Sequence, residues 1–277
     1  SPGRISIGSL VKEAVCMFRS KWEVCFVILL LMIFAAGLGM ALYPHVQGAI
    51  VDHHIAQEAE EFLDWLSGED ADPEPDILVI PGTPEETQPR PYLDLWEEMQ
   101  AYKERIHTNG QAGLTTSASY QVPSFKLTDY GLADEKFGVI QIPKLDLEMP
   151  LFLGANDVTM ADGAAVLSET SIPIGGSNTN TVIAGHRGYG GASYFRYIPD
   201  LTVGDTVIIT NLWETLTYEV METKIIDPHE VDEILIQTGK DMVTLLTCHP
   251  YASGGRQRYL VYCERVTETE GLEVYHD

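Results

Sequence analysis

The chain has 277 residues and a formal net charge of −24, from 41 acidic and 17 basic side chains, which is length enough for one sizeable domain with appendages. That acidity excludes nucleic acid and anionic lipid as partners for the bulk of its surface. Four cysteines are too few for a disulfide framework, and Cys16 and Cys25 lie in or beside an N-terminal apolar segment, so only Cys248 and Cys263 serve the rest.

Residues 24–43 form twenty residues without a charge, long enough to cross a bilayer as a helix. Arg4, Lys12, Arg19 and Lys21 precede this run, whereas the next fifty residues hold Arg90 as their sole Lys or Arg. The positive-inside rule therefore puts residues 1–23 in the cytoplasm and the remainder outside the cell membrane. A cleaved signal peptide is the competing reading, but the apolar run is too long for a typical signal core. Past Pro44 a helical pattern is expected to about Trp65, with Val46, Ile50, Ile55, Ala59, Phe62 and Leu66 on one face. An acidic, proline-rich linker from Glu69 to Pro91 follows. A second helix is expected over Leu93 to about His107, stopped by Asn109-Gly110, with a packing stripe of Trp96, Met99 and Ile106.

Residues 111–135 are polar and loop-like, with Phe125, Leu127, Tyr130 and Leu132 as apolar points. From Phe137 the pattern changes to short strands between turn signals. Strands are expected at Phe137–Ile142, Leu147–Leu153, Ala164–Leu167, Thr181–His186, Thr206–Thr210, Thr215–Ile226, Val243–Cys248 and Tyr259–Val266. Short helices are expected at Val158–Gly163, Ala192–Leu201 and Val231–Leu235. Eight strands in so short a stretch imply a closed β-barrel, because closure removes exposed edges. The reading is thus a mainly β chain: a cytoplasmic terminus (1–23), a transmembrane helix (24–43), an extracellular helical extension (44–136) and a barrel (137–277). No nucleotide-binding glycine motif, Walker motif or CxxC pair is visible, so neither cofactor nor metal is expected.

The run Met242–Cys248 reads as a buried strand ending on a thiol. His249-Pro250 stops it, and after Ala252-Ser253-Gly254-Gly255 a second apolar run, Tyr259–Cys263, is introduced by Arg256 and Arg258. A thiol and a guanidinium across one loop suit nucleophilic chemistry. The base such a thiol needs is offered by His186, glycine-flanked at the end of the strand Thr181–Ala184. By strand alternation His249 points away from its neighbour Cys248, and Cys263 faces away from Arg258.

Thr244-Leu245-x-Thr247-Cys248, with Gly185-His186-Arg187 upstream and Arg258 downstream, resembles the signature of the sortases, the cysteine transpeptidases of Gram-positive cell surfaces. The resemblance covers residues 137–266. It implies that Cys248 attacks the carbonyl after threonine in a Leu-Pro-x-Thr-Gly-like sorting signal, that His186 protonates the departing amine and deprotonates the incoming one, and that Arg258 holds substrate or oxyanion. Arg258 is matched to the family arginine in preference to Arg256 because Tyr259-Leu260-Val261 follows it directly. The partners implied are a sorting-signal-bearing surface protein or pilin and an amine acceptor. The membrane helix, the helical extension and Leu127-Thr128-Asp129-Tyr130-Gly131 resemble class C, the pilin-polymerising sortases, whose lid covers the active site. Tyr130 is accordingly expected over the thiol, with Asp129 paired to Arg258; the alternative is ordinary packing of this loop on the barrel's outer wall. Two other readings stay open: a sortase that anchors proteins to peptidoglycan cross-bridges, and a membrane-tethered β-barrel whose Cys248 is inert.

Overall fold

The computed structural model describes residues 7–68, 90–114 and 121–266, with side chains from Trp22 onward. The acidic linker falls outside these residues apart from its last two positions, Arg90 and Pro91. Eight strands close into a barrel: β1 Lys136–Ile142, β2 Leu147–Leu153, β3 Ala164–Val166, β4 Thr179–Ala184, β5 Thr206–Asn211, β6 Thr215–Ile226, β7 Asp241–His249 and β8 Gln257–Arg265. Their spatial order is β1-β2-β3-β4-β7-β8-β6-β5. Pairing is antiparallel except for β2 with β3 and β4 with β7. The expected strands are all present, within two residues at each end. Alternation of Val207 and Ile209 on β5, and of Leu216, Tyr218 and Val220 on β6, sends every second side chain into the barrel core.

Three of the short helical segments fall where they are expected, as α3 Thr159–Asp162 (α1 and α2 lie upstream) and as 3-10 turns at Tyr194–Asp200 and Val231–Ile234. Two differences from the expected outline matter for the site. The strand carrying His186 ends two residues early, at Ala184, because Gly185 passes under the Phe195 ring, where an added Cβ would come within 2.6 Å. The histidine therefore stands on the loop beyond β4.

The second difference is a correction at Pro44. The apolar span and the helix after it are one element, α1, running Ile7–Ser67 with Pro44 inside it. Proline removes one backbone hydrogen bond from a helix interior, and here the segment after it is held by docking on the barrel. Ile55, Ala59 and Phe62 are buried in the barrel's core cluster, with Val51, Leu63 and Leu66 packed against it. Val46 and Ile50, expected on the same face, are instead exposed. The docked face runs Gly48, Asp52, Ile55, Ala59, Phe62, a 4-3-4-3 spacing that begins with a glycine and an acid. Beside it, Glu58 makes a 2.8 Å ion pair with Lys136, which holds the Glu58 carboxyl below its ordinary range.

The second helix, α2 Leu93–Thr108, buries Leu95, Met99, Tyr102 and Ile106. Trp96 is only half-buried and meets Trp213 edge-on at 4.9 Å, with the Arg90 guanidinium 3.7 Å over its ring. The helical extension is thus part of one continuous core with the barrel. Leu95→Ala should cost about 2–5 kcal/mol, read as a lower urea midpoint for the full-length chain in detergent. Leu93→Ala, on the exposed side of the same turn, should stay within about 0.5 kcal/mol.

Candidate active site

Strand β7 lies between β4, parallel to it, and β8, antiparallel to it. Its register sets Ala184 beside Leu246 and Cys248 opposite Arg258. Two bonds tie the end of β7 to the loop that carries the histidine: the Gly185 amide donates to the Leu246 carbonyl (3.1 Å) and the Thr247 hydroxyl to the Gly185 carbonyl (2.8 Å). Cys248, His186 and Arg258 consequently line one cleft of about 780 Å³. Its remaining wall includes Thr247, Leu246 and Ala184 from the strands, Met160 of α3, and Pro228 to Val231 from the connection between β6 and β7.

Gly255 passes directly between thiol and guanidinium, at φ 73°. A Cβ there would lie 3.2 Å from both the Cys248 sulfur and Arg258 Nη1, and the positive φ also favours glycine at this position. Arg258 Nη1 donates to the carbonyls of Gly255 (2.7 Å) and Gln257 (3.1 Å). Among the described residues Nε and Nη2 have no acceptor, so they are the donors the cleft can use. Arg256 is absent from the cleft wall and makes only a 3.4 Å bond to the Ser253 carbonyl.

The His186 ring stacks on Tyr189 (4.8 Å between centroids, 22° between planes) and meets Tyr194 edge-on at 5.7 Å. Burial among these rings holds its pKa below the ordinary 6.5, and the charge of Asp157 pulls it partly back. Its imidazole is therefore neutral at pH 7 and able to accept a proton.

The other cysteine and histidine fall on the opposite faces. Cys263 is fully buried, and burial pushes its thiol up to about 12. Cys248 and Cys263 are both free thiols. His249 turns toward Arg187 and Tyr259: Arg187 Nη1 lies 2.9 Å from its Nδ1, and the Tyr259 ring is 5.8 Å away. Burial and the Arg187 charge lower its pKa, which keeps Nδ1 open as the acceptor. Arg187 Nη1 also reaches the Cys248 carbonyl at 3.4 Å.

Asp129 and Tyr130 are not brought to the cleft, which corrects the expectation of a lid there. Asp129 pairs with Lys126 at 3.3 Å, and the Tyr130 hydroxyl donates to Glu98 on α2 at 2.6 Å. The 3-10 turn Leu127–Tyr130 is pinned by Glu135, which accepts from both Leu127 and Thr128 amides, and by Leu127 in the core. Both residues find their partners on the outer wall, away from Arg258.

His229 borders the cleft, although no pattern around it in the sequence marks it. Arg187 was legible only as the residue after His186. Gln121 reaches the cleft from before the barrel, and nothing in its surroundings signals that.

A sortase domain model matches residues 140–266 of this chain. Sortase D of Bacillus subtilis (strain 168) is 30% identical over 132 residues, 47% of this chain; the chain spans 64% of that protein's length. Among solved structures, sortase C-1 of Streptococcus pneumoniae superposes with a TM-score of 0.60 at 26% identity, covering 77% of this chain and 100% of that one. Sortase C of Clostridium perfringens, solved with a C-terminal cell wall sorting motif, gives a TM-score of 0.57 at 28% identity, covering 76% and 98%.

Removing the exposed charge in Asp157→Asn should lower the pKa of His186 further, since that charge raises it. The shift should be larger at low ionic strength than at 0.15 M salt. An NMR titration of the His186 imidazole reads both the direction and the salt dependence.

Proposed function

We propose that this chain, whose residues 140–266 match the sortase domain model and whose barrel superposes on sortase C structures, is a membrane-anchored cysteine transpeptidase of the sortase family. The observation that carries the proposal is the convergence of Cys248, His186 and Arg258 on one cleft, each from a different strand end. In this reading the Cys248 sulfur, its proton taken by neutral His186, attacks the carbonyl carbon after threonine in a Leu-Pro-x-Thr-Gly-like sorting signal. The carbonyl oxygen becomes an oxyanion, and the Nε and Nη2 donors of Arg258 face that developing charge. The C–N bond then breaks as His186 returns the proton to the leaving amine, and a thioester remains on Cys248. An incoming amine gives its proton to His186 and attacks the thioester; the new amide forms and the thiol is regenerated.

The amine acceptor is read as a pilin lysine, supported by the class C structures among the neighbours and by the docked helical extension. A peptidoglycan cross-bridge amine is the other acceptor the chemistry accommodates. The apolar stretch of α1, exposed over Val24–Tyr43, supports anchoring in the cell membrane. Lys and Arg before it and their scarcity after it support a cytoplasmic N-terminus and an extracellular barrel.

Cys248→Ala should abolish transfer of a sorting-signal peptide to an amine while leaving the fold intact. Arg258→Ala should lower kcat/KM about 100- to 1000-fold, about 2.7–4 kcal/mol of transition-state stabilisation and the scale of one oxyanion donor, whereas Arg256→Ala should be mild. Steady-state kinetics with a pilin-lysine peptide and with a cross-bridge amine as competing acceptors test the assignment. Turnover in Cys248→Ala contradicts the transpeptidase, and preference for the cross-bridge amine contradicts pilus assembly alone.

A further inference from the structure

The loop after β4 presents His186 and also carries both rings that enclose it, Tyr189 and Tyr194. Few elements of the barrel hold its outer edge: Tyr189 and Ala192 bond each other, and the Phe195 amide donates back to the His186 carbonyl. The long-range supports come from elsewhere. The Tyr194 hydroxyl donates to the carbonyl of Ala161 in α3 at 2.6 Å. More telling is Asp52 of α1, whose carboxylate accepts from both the amide (2.8 Å) and the hydroxyl (3.1 Å) of Ser193, across 141 residues of sequence. One turn earlier, Gly48 is buried against Gly191, so close that a Cβ on Gly48 would overlap the Gly191 carbonyl, and one on Gly191 would overlap the Pro44 carbonyl. Gly191 has φ 94°, a conformation that favours glycine.

We propose that Asp52, with Gly48, is a positioning residue for the reaction: the anchoring helix clamps the 188–194 loop and thereby fixes the aromatic enclosure of His186. The inference rests on the reading of His186 as the proton-transfer group. Each link is local and geometric. The carboxylate fixes Ser193 by two bonds, Ser193 is adjacent to Tyr194, and the backbone contact at Gly191 fixes the approach of Tyr189. The charged or titratable groups around the imidazole are Tyr189 and Tyr194 on its loop, Cys248 and Arg258 across the cleft, His229 and Glu230 on the connection between β6 and β7, and Asp157 before α3.

The arrangement has a spatial consequence. Gly48 lies five residues past Tyr43, the end of the apolar run, which is roughly 7 Å along a continuous helix. The loop carrying the proton-transfer group is thus held at the membrane-proximal end of the docked helix, and no flexible joint separates it from the apolar span.

The test uses the full-length chain in detergent micelles, comparing wild type with Asp52→Ala, Asp52→Asn and Ser193→Ala. The readouts are the NMR titration and ring-current shift of the His186 imidazole protons, neither of which needs a substrate. In Asp52→Ala the ring-current shift from Tyr189 should be lost and the His186 titration should move up toward 6.5 as the ring gains water. Asp52→Asn keeps an acceptor for the Ser193 amide and should restore most of both; Ser193→Ala keeps the amide bond and should fall between wild type and Asp52→Ala. Wild-type shifts and titration in folded Asp52→Ala overturn the proposal. If Asp52→Ala does not fold, the other two variants decide: intermediate values support the clamp and wild-type values in both overturn it. Failure of the transpeptidase reading appears separately, as transfer activity that survives His186→Ala.

Discussion

The placement of strand β7 is the constraint on which the site depends. It is the one strand that pairs in parallel with β4 and antiparallel with β8, so its register alone decides what stands beside its last residues. A slip of one residue would turn Cys248 into the barrel wall and present His249 to the cleft. The register is held from inside by Val243 and Leu245, both fully buried. Polar bonds hold it as well: Thr244 donates to Asn180 at 2.8 Å, and Thr247 to the Gly185 carbonyl. The β-branched hydroxyl residues of this strand therefore serve as register pins, in addition to filling a pleated surface.

The same strand separates two chemistries by alternation. Cys248 faces a cleft with a guanidinium and an imidazole, whereas one residue on, His249 faces Arg187 and Tyr259. Two residues of the sequence that look equally capable of catalysis are thus given different surroundings. Cys263 is the corresponding case on β8: at an inward position opposite Val243, its thiol is kept protonated by burial. Environment, more than residue type, distinguishes the usable thiol from the inert one.

Much of this was legible in the sequence because it is periodic. Short apolar runs between turn signals mark all eight strands, and the placement of Cys248 and Arg258 beside strand ends follows from where proline and glycine interrupt those runs. What was not legible depends on single polar contacts between distant segments. The docked face of α1 starts with Gly48 and Asp52, which an apolar stripe cannot reveal, so the stripe points to Val46 and Ile50 in their place. Likewise Tyr130 looked unpartnered as an aromatic in a polar loop, but one hydrogen bond to Glu98 and the pinning of its turn by Glu135 place it on the outer wall. Neither Glu98 nor Glu135 belongs to a pattern that would announce such a role.

The account turns on covalent chemistry at Cys248, and intact-protein mass spectrometry with peptide mapping addresses that most directly. After brief incubation of the full-length chain with a Leu-Pro-x-Thr-Gly peptide library and no added amine, an adduct equal in mass to the peptide acyl fragment up to threonine should appear. It should map to the peptide containing Cys248 and be discharged by hydroxylamine, as a thioester is. An adduct at another residue, or a chain that stays unmodified while the same library acylates an active sortase, would contradict the account.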